Sequence, residues 1–370
     1  MPVKKPLSPF EKKLNAWVAE HMTRVPFIQK IFFVDHLKTM VHAGLSLVES
    51  LVVLEKETTN KKLKQTIHEI KKSVEQGTQL SDVLAEYPQI FPSMYVKMIH
   101  AGEVGGQLEE ALEHVVDQMK RSRELTSSIR GAMIYPGVII TAMGGIGIMM
   151  ATMVLPKLVE LFEEFDSELP LPTRVLIAVT NIMSNPLYLT LIVGGTIAMI
   201  VGFITLMRKS APFKKIIHTM VLKLPIVGPI IKQINLAKFS LTLSSLLSST
   251  VQIVDAVNIS ADTCTNVLYR ESLHEAGEKL QTGEQLSVVL ATHESLFPPM
   301  VTEMIMVGER SGEINSLLIE LAKFYSNEVQ KVMENFTKII EPVIIILIGL
   351  VVAGLAVAVI MPMYSLVQNF

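Results

Sequence analysis

The sequence feature that most constrains the fold is an internal repeat at a constant shift of 206 residues. The shift is the distance from Phe33 to Phe239, and the match needs no gap from Phe33 to Pro156. Matched pairs along this stretch include Gly77 with Gly283, Phe91 with Phe297, Pro136 with Pro342 and Pro156 with Pro362. Self-similarity over such a length indicates one structural unit used twice. The sequence therefore predicts two copies of the same fold within the chain.

One short motif in the repeat places glycines on both sides of a glutamate. Its two copies read Gly102-Glu103-Val104-Gly105-Gly106 and Gly308-Glu309-Arg310-Ser311-Gly312. We expect the preceding helix to end one residue before each motif, with Gly102 and Gly308 in the left-handed conformation that glycine adopts readily. Gly106 and Gly312 then suit a flexible start to the next helix. The motif is thus predicted to be a helix corner.

Backbone geometry does not explain the glutamates of this motif. Each carboxylate could cap the following helix by accepting hydrogen bonds from its first backbone N–H groups. It could also join neighbouring helices through an ion pair, or contact a partner protein. No phosphate-binding or metal-binding motif surrounds Glu103 or Glu309 in the sequence. A structural role is therefore favoured over a ligand loop, and partner contact stays open.

Helical periodicity with short connections runs through residues 31–130 and again through residues 208–338. Ser46 and Glu49 have the spacing of a capping box, and Gly44 suits the end of the helix before them. The first region divides into six short helices and shows no strand pattern. We therefore predict two repeated six-helix cytoplasmic bundles, the first at 31–130 and the second at 208–338.

The chain is 49% hydrophobic and has a mean hydropathy of +0.42, which is too apolar for an ordinary soluble protein. A helix that crosses a bilayer needs about 20 mainly apolar residues. Three segments are long enough, at residues 131–156, 186–207 and 339–361. Asn185 and Pro186 favour a helix start at the second of these, after an interfacial helix at Val175–Ser184. The predicted fold class is an all-α membrane protein with three transmembrane helices.

Lysine and arginine predict the orientation of the spans, because these residues concentrate on the cytoplasmic side. They flank the spans at Lys120, Arg121, Arg123, Arg130, Arg208, Lys209, Lys214 and Lys215. The loop of residues 157–185 instead carries Glu160, Glu163, Glu164, Asp166 and Glu168. We expect the basic amphipathic segment 1–30 and both helical domains in the cytoplasm. The acidic loop 157–185 and the tail 362–370 are expected outside.

Several kinds of chemistry lack the residues they need. The sequence contains no Walker A loop and no His-Glu-x-x-His zinc motif, so no catalysis and no cofactor is predicted. A net charge of −2 argues against nucleic-acid binding through bulk positive charge. The predicted spans are uncharged apart from Glu341 at the cytoplasmic end of the third, which argues against proton-coupled transport. Cys264 is the lone cysteine and is interpreted as a core residue.

Two side-chain groups are weaker candidates for a site. The first is an acidic stripe with helical spacing, formed by Glu109, Glu113 and Asp117. It could bind a hard cation, although a solvated helix face is the favoured interpretation. The second recurs in both repeats as His68-Glu69 and His274-Glu275. Adjacent helix residues point to different sides, which argues against concerted chemistry by these pairs.

The doubled corner, the three spans and the acidic outer loop containing Glu168-Leu169-Pro170-Leu171-Pro172 together resemble one family. The chain is similar to the platform proteins of type IV pilus and type II secretion machines, the GspF/PilC family, from about Phe32 to Phe370. Arg310-Ser311 fits the common x-Ser-Gly form of the corner, whereas Val104-Gly105 departs from it. Residues 1–30 show no close match.

The resemblance implies a multi-pass protein of the bacterial inner membrane without catalysis of its own. The implied partners are a hexameric assembly ATPase, pilins or pseudopilins, other inner-membrane proteins of the assembly complex, membrane lipid and further copies of the chain. The implied mechanism transmits ATPase movements to filament growth. Two alternatives stay open from the residues: a channel or transporter, because small residues line the spans, and a membrane enzyme, because of the His-Glu pairs.

Overall fold

The computed structural model of the protein describes residues 25–150, 186–225 and 227–368, together with the isolated positions 153, 156 and 178. Helices and short connections account for these residues, and no strand occurs among them. The predicted N-terminal segment 1–30 and outer loop 157–185 lie almost entirely outside the described residues, as do the last two residues of the tail. The chain is therefore all-helical in the part that the structure describes.

The first repeat begins with six consecutive helices. They are α1 (Phe27–His42), α2 (Leu47–Glu57), α3 (Lys61–Glu75), α4 (Leu80–Ala85), α5 (Ser93–Val104) and α6 (Leu108–Met149). The connections are only a few residues long, and α4 is a single short helix of six residues. The predicted capping box at the start of α2 is confirmed: the Glu49 N–H donates to Ser46 Oγ at 3.3 Å, and the Ser46 N–H donates to the Glu49 carboxylate at 3.0 Å.

The second repeat follows two further helices, α7 (Pro186–Lys209) and α8 (Ala211–Lys223). Its helices are α9 (Val227–Ser248), α10 (Ile253–Thr263), α11 (Val267–Gln281), α12 (Leu286–Ala291), α13 (Pro299–Ser311) and α14 (Ile314–Gln368). The bounds of α10, α11 and α12 are those of α2, α3 and α4 moved by 206 positions. The same local signals therefore produce the same helices twice.

Equivalent aromatic pairs occupy the interior of the two repeats. Phe33 packs against Phe91 with ring centroids 5.5 Å apart, and Phe239 packs against Phe297 with centroids 5.8 Å apart. All four rings are buried, and such pairs add to the free energy that burial of apolar surface already supplies. In the second repeat Tyr269 also packs on Phe297 and donates a hydrogen bond to the Leu296 carbonyl at 2.7 Å.

The described chain divides into two compact units. One unit contains the residues up to Leu125 together with Ile231–Ser326, so it holds the short helices of both repeats. The other contains the described part of Thr126–Ile230 and the chain from Asn327 onward. The short helices of the two repeats thus lie within one compact unit.

Two helices are long and apolar enough to cross a membrane, and up to three spans result if the bent pair formed by α7 and α8 is counted. The two long helices are α6, with 42 residues, and α14, with 55 residues. Each starts just after a Gly-Glu corner and continues without interruption into its apolar segment, past Pro136 in α6. The third candidate consists of the apolar end of α7 and the helix α8, bent by 102° relative to each other.

Candidate functional site

The glutamate of the first corner is bound to the start of the short helix α4. Glu103 lies in the last turn of α5, and its Oε1 accepts a hydrogen bond from the Leu80 N–H at 2.7 Å. Its Oε2 accepts from the Ser81 N–H at 3.0 Å and from Ser81 Oγ at 2.7 Å. Both carboxylate oxygens are therefore satisfied by groups from one neighbouring helix.

The second corner repeats this arrangement atom by atom. Glu309 Oε1 accepts from the Leu286 N–H at 2.6 Å, and Oε2 accepts from the Ser287 N–H at 3.2 Å and from Ser287 Oγ at 2.5 Å. The three residues involved in α12 and α13 are the positional equivalents of the three in α4 and α5. The same glutamate therefore makes the same three hydrogen bonds in both repeats.

These contacts have a clear physical cause. The first N–H groups of a helix have no partner within the helix and must be satisfied from outside. The N-cap residues Gln79 and Gln285 make no side-chain capping bond. A carboxylate supplies the missing acceptors and also interacts favourably with the positive end of the helix dipole. Of the structural roles that the sequence left open, capping of the helix after the corner does not occur: each glutamate caps an earlier helix that lies beside it.

The first glycine of each corner is required by close approach, and the expected left-handed conformation is wrong. Gly102 and Gly308 do not belong to the residues with positive φ, and the helices α5 and α13 continue past them. A Cβ on Gly102 would lie 2.2 Å from the Cβ of Ala111, and a Cβ on Gly308 would lie 2.7 Å from the Cα of Ile314. The absence of a side chain lets the next long helix pass directly against each glycine.

The later glycine of each corner is the one that needs positive φ. Gly106 has φ +70° and Gly312 has φ +78°, a region that side chains with a Cβ rarely adopt. Gly105 instead has φ −77°, which every residue tolerates. This explains why Ser311 can stand at the equivalent position, and why Val104-Gly105 departs from the common form at no structural cost. The reversal of the chain thus depends on one glycine in each corner.

The recurring His-Glu pairs do not form a site. Glu69 accepts a hydrogen bond from the Tyr87 hydroxyl at 2.8 Å, and the equivalent Glu275 pairs with the equivalent His293 at 3.1 Å. The histidines point elsewhere: His68 pairs with Glu55 at 2.9 Å, and His274 contacts Asn258 at 3.1 Å. Each glutamate links its helix to the end of the next short helix, which is a structural role in both repeats.

The acidic stripe of Glu109, Glu113 and Asp117 is not arranged as a metal-binding cluster in the structure. Glu109 pairs with His42 from α1, and the equivalent positions in the second repeat hold a hydrogen bond between Ser248 Oγ and Asn315 Oδ1 at 3.1 Å. Among residues 25–150, 186–225 and 227–368, no group of three or more His, Cys, Asp or Glu side chains is arranged to hold a metal ion. Glu113 and Asp117 lie along the same helix as Glu109 without forming such a group.

The sequence does not reveal one contact that joins the repeats. Ser245 Oγ on α9 donates to Gln118 Oε1 on α6 at 2.6 Å, and Gln118 is 2% exposed. A small cavity of about 190 Å³ borders this contact between the two repeats. The equivalent of Gln118 is Phe324, but the two helices also differ at most neighbouring positions, so the sequence gives no specific signal for this contact.

Comparisons with known proteins are consistent with this duplicated architecture. A family described as type II secretion system protein F matches the chain twice, over residues 33–156 and 239–362. Both pairs of bounds are 206 residues apart (239 − 33 and 362 − 156).

Individual relatives match almost the whole chain. A type IV pilus assembly protein PilC of Thermus thermophilus is 33% identical over 339 residues, covering 90% of this chain and 82% of the relative. A type IV pilus assembly protein TapC of Aeromonas hydrophila is 31% identical over 330 residues, covering 89% and 79%. A type II secretion system protein F of Pseudomonas aeruginosa is 31% identical over 335 residues, covering 90% and 81%.

Proposed function

The chain belongs to the family of type II secretion system protein F, and from this premise we propose that it is a non-enzymatic platform for filament assembly in the bacterial inner membrane. The filament is a type IV pilus or the pseudopilus of a type II secretion system. In this role the protein couples a cytoplasmic assembly ATPase to the extraction of pilins from the membrane and to filament growth.

The observation that carries the proposal is the pair of hydrogen-bonded Gly-Glu corners just before α6 and α14. Each glutamate ties the end of one helix to the start of a neighbouring short helix, and each glycine seats the following long helix directly against the corner. A continuous helix of 42 residues is about 63 Å long at about 1.5 Å per residue. Movement imposed on the corner would therefore reach the apolar segment without an intervening flexible loop.

The proposal includes an orientation. Basic residues near the corner-proximal part of α6, such as Lys120 and Arg123, support a cytoplasmic position for that side. Lys120 Nζ pairs with Asp35 at 3.2 Å, whereas a run of Lys120 to Arg123 beside anionic headgroups would also attract lipid. Both helical regions then form two repeated six-helix bundles on the cytoplasmic side, the N-terminus is cytoplasmic and the C-terminus is external.

The proposed partners follow from this arrangement. The cytoplasmic helices engage a hexameric ATPase, and the spans contact pilins or pseudopilins and other inner-membrane proteins of the assembly complex. Further copies of the chain complete the platform. The names of the relatives support membership of such a machine.

A deletion strain tests the proposed function. We expect loss of filaments or of secretion when the gene is deleted, restoration by the wild-type chain, and co-purification of the chain with the assembly ATPase. Normal assembly and secretion in the deletion strain would refute the platform role. Solute flux through purified protein in vesicles that contain no ATPase would instead establish a channel or transporter. Normal assembly by a His68→Ala, His274→Ala double variant would remove the one observation that favours the enzyme alternative.

A further inference from the structure

The two repeats contact each other through different faces. The first repeat contributes a face on α5 and α6, here called the donor face, which includes Met94, Tyr95, Gln118 and Leu125. The second repeat contributes a face on α9 and α10, here called the acceptor face, which includes Lys238, Leu241, Thr242 and Thr263. Ser245 on the acceptor face donates a hydrogen bond to Gln118 on the donor face, and this bond joins the two faces. The names of the faces describe which surface docks into which and do not refer to hydrogen bonding. The contact is therefore between unlike surfaces of two like units.

Burial shows that these two faces are used. On the donor face Met94 is 6% exposed and Gln118 is 2% exposed. On the acceptor face Leu241 is 4% exposed and Thr242 is 3% exposed. Because each repeat has the same helices, each must carry both faces, and the contact within the chain covers only one of each kind.

The remaining donor face lies on α13 and α14 of the second repeat and exposes large apolar side chains. Met300, the equivalent of Met94, is 42% exposed, and Phe324, the equivalent of Gln118, is 40% exposed. A buried glutamine position has thus become an exposed phenylalanine. Large apolar side chains that are exposed together on one surface are typical of surfaces that bind a partner.

The remaining acceptor face lies on α1 and α2 of the first repeat and contains an open groove of about 430 Å³. Phe32, at the edge of the groove, is 52% exposed and is the equivalent of Lys238. The groove also contains His36 and Glu57, which pair at 3.4 Å. Their equivalents Thr242 and Thr263 are joined at 3.2 Å on the covered face. The open groove therefore keeps a polar pair at the same two positions, whereas Asp35 stands where the covered face has Leu241.

A two-fold contact would have buried both copies of each face within the chain. The exposure of Phe32, Met300 and Phe324 shows that the contact is head-to-tail instead. A head-to-tail contact leaves one free face at each end, and such interfaces continue from one subunit to the next until a ring closes or a filament forms.

We propose that the open donor face on α13 and α14 of one copy docks into the open groove on α1 and α2 of a second copy. The new contact continues, between chains, the contact that already joins the repeats within each chain. This inference specifies the surface for the self-association included in the proposed function. Phe324 occupies the place of Gln118 in this contact, and Thr39 occupies the place of Ser245.

Cross-linking of cysteine variants tests the pairing in the full-length protein in membranes. We expect a short bismaleimide to link Thr39→Cys chains to differently tagged Phe324→Cys chains, and to link neither variant to itself. Gln118→Cys with Ser245→Cys in one chain is the matched positive control, because it links the same positions within a monomer. Cys264 stays in all variants: it is 1% exposed and burial raises the pKa of its thiol to about 12, so it is unreactive.

Charge substitutions give an independent measurement. Phe324→Asp and Phe32→Asp are each expected to weaken self-association of the purified protein in detergent about tenfold or more, because each loses the burial of a large apolar side chain. Val288→Asp is the control: Val288 is 55% exposed, lies on neither face, and is replaced by the residue that the first repeat has at the equivalent Asp82. We expect that control to associate like the wild type.

Three outcomes would overturn the proposal. The first is self-linking of Thr39→Cys or Phe324→Cys alone, which indicates a two-fold interface. The second is protection of Thr39→Cys from maleimide without any link to Phe324→Cys, which indicates that another segment or another protein covers the groove. The third is unchanged association of both aspartate variants. Failure of the platform role is a separate result, because it appears in filament assembly while the cross-link is read directly in membranes.

Discussion

The two corners hold the same short helix with the same glutamate, but they seat the following long helix differently. At Gly102 the nearest obstacle to a side chain is the Cβ of Ala111, whereas at Gly308 it is the backbone of Ile314. The backbone oxygen of Gln107 would also lie 2.9 Å from a Cβ on Gly102, so the first corner is limited by a side chain and by the main chain, whereas the second is limited mainly by the main chain. The comparison shows that the contact between the glutamate and the short helix is the same in both repeats, although the packing around it differs.

The repeats differ more strongly away from the corners. In the second repeat Asn235 is fully buried and accepts hydrogen bonds from the Thr265 and Asn266 N–H groups. In the first repeat the equivalent Gln29 has a buried Oε1 without a hydrogen-bond partner, next to the open groove. The side-chain oxygen at this position therefore has hydrogen-bond partners in the second repeat and has none in the first.

Substitution of the approach glycine is expected to have the largest effect. Gly308→Val should destabilise the protein by at least about 3 kcal/mol, because backbone atoms cannot move away from the added side chain. Gly102→Ala should also destabilise, but Gly102→Ala with Ala111→Gly should recover part of the loss. Ile314→Ala should not rescue Gly308→Ala, since the Cα of Ile314 stays 2.7 Å away. Thermal unfolding followed by circular dichroism measures this, and equal rescue at both corners would contradict the distinction.

Asn235 gives the next largest expected difference between the repeats. Asn235→Ala leaves two backbone N–H groups of the α10–α11 connection without their acceptor and should cost about 2–3 kcal/mol. Gln29→Ala removes an oxygen that has no partner and should change stability by less than about 1 kcal/mol. Denaturant unfolding of the two variants side by side provides the measurement. Similar losses in both would show that the repeats are equally satisfied at this position.

The corner glutamates should have intermediate and nearly equal effects. Glu103→Gln and Glu309→Gln each remove the charge and place an amide against N–H donors, so each should cost about 1–2 kcal/mol. Folded protein of either variant should still co-purify with the assembly ATPase. Unchanged unfolding temperature together with loss of ATPase binding in one variant would identify that glutamate as a partner contact.

A surface carboxylate should give the smallest effect and a pH dependence of known sign. The hydrogen bond from Lys71 lowers the pKa of Glu55 below its ordinary value of 4.5. A lowered carboxyl pKa adds stability that is present above the ordinary value and is lost as the pH falls through the lowered value. Glu55→Gln should therefore lower the unfolding temperature by at most about 2 °C at pH 7.

Acid should remove this difference, so wild type and Glu55→Gln should unfold together once the pH is well below 4.5. Glu275 offers the comparison in the second repeat, because a hydrogen bond from Lys279 lowers its pKa in the same direction. The side chain of Glu275 is 42% exposed, against 21% for Glu55, so its effect should be smaller. A difference that grows in acid would contradict the assigned sign.

Local signals in the sequence were enough to predict the helices, the capping box at Ser46 and Glu49, and membership of the family. Each of these depends on residues within a few positions of one another, or on a pattern repeated along the chain. The long apolar segments of α6 and α14 were recognisable for the same reason, since hydropathy is summed along a single helix.

Tertiary structure alone decided the roles within the corner. Glu103 binds residues 22 and 23 positions before it, a separation that no helical period encodes. Whether Gly102 serves a left-handed turn or a close contact depends on how near another helix comes, and that distance is set by packing. The sequence by itself therefore determined which residues recur and where helices form. Which atoms meet, including the head-to-tail contact at Gln118 and Ser245, was decided only when the two repeats packed together, because burial and approach depend on partners distant in the chain.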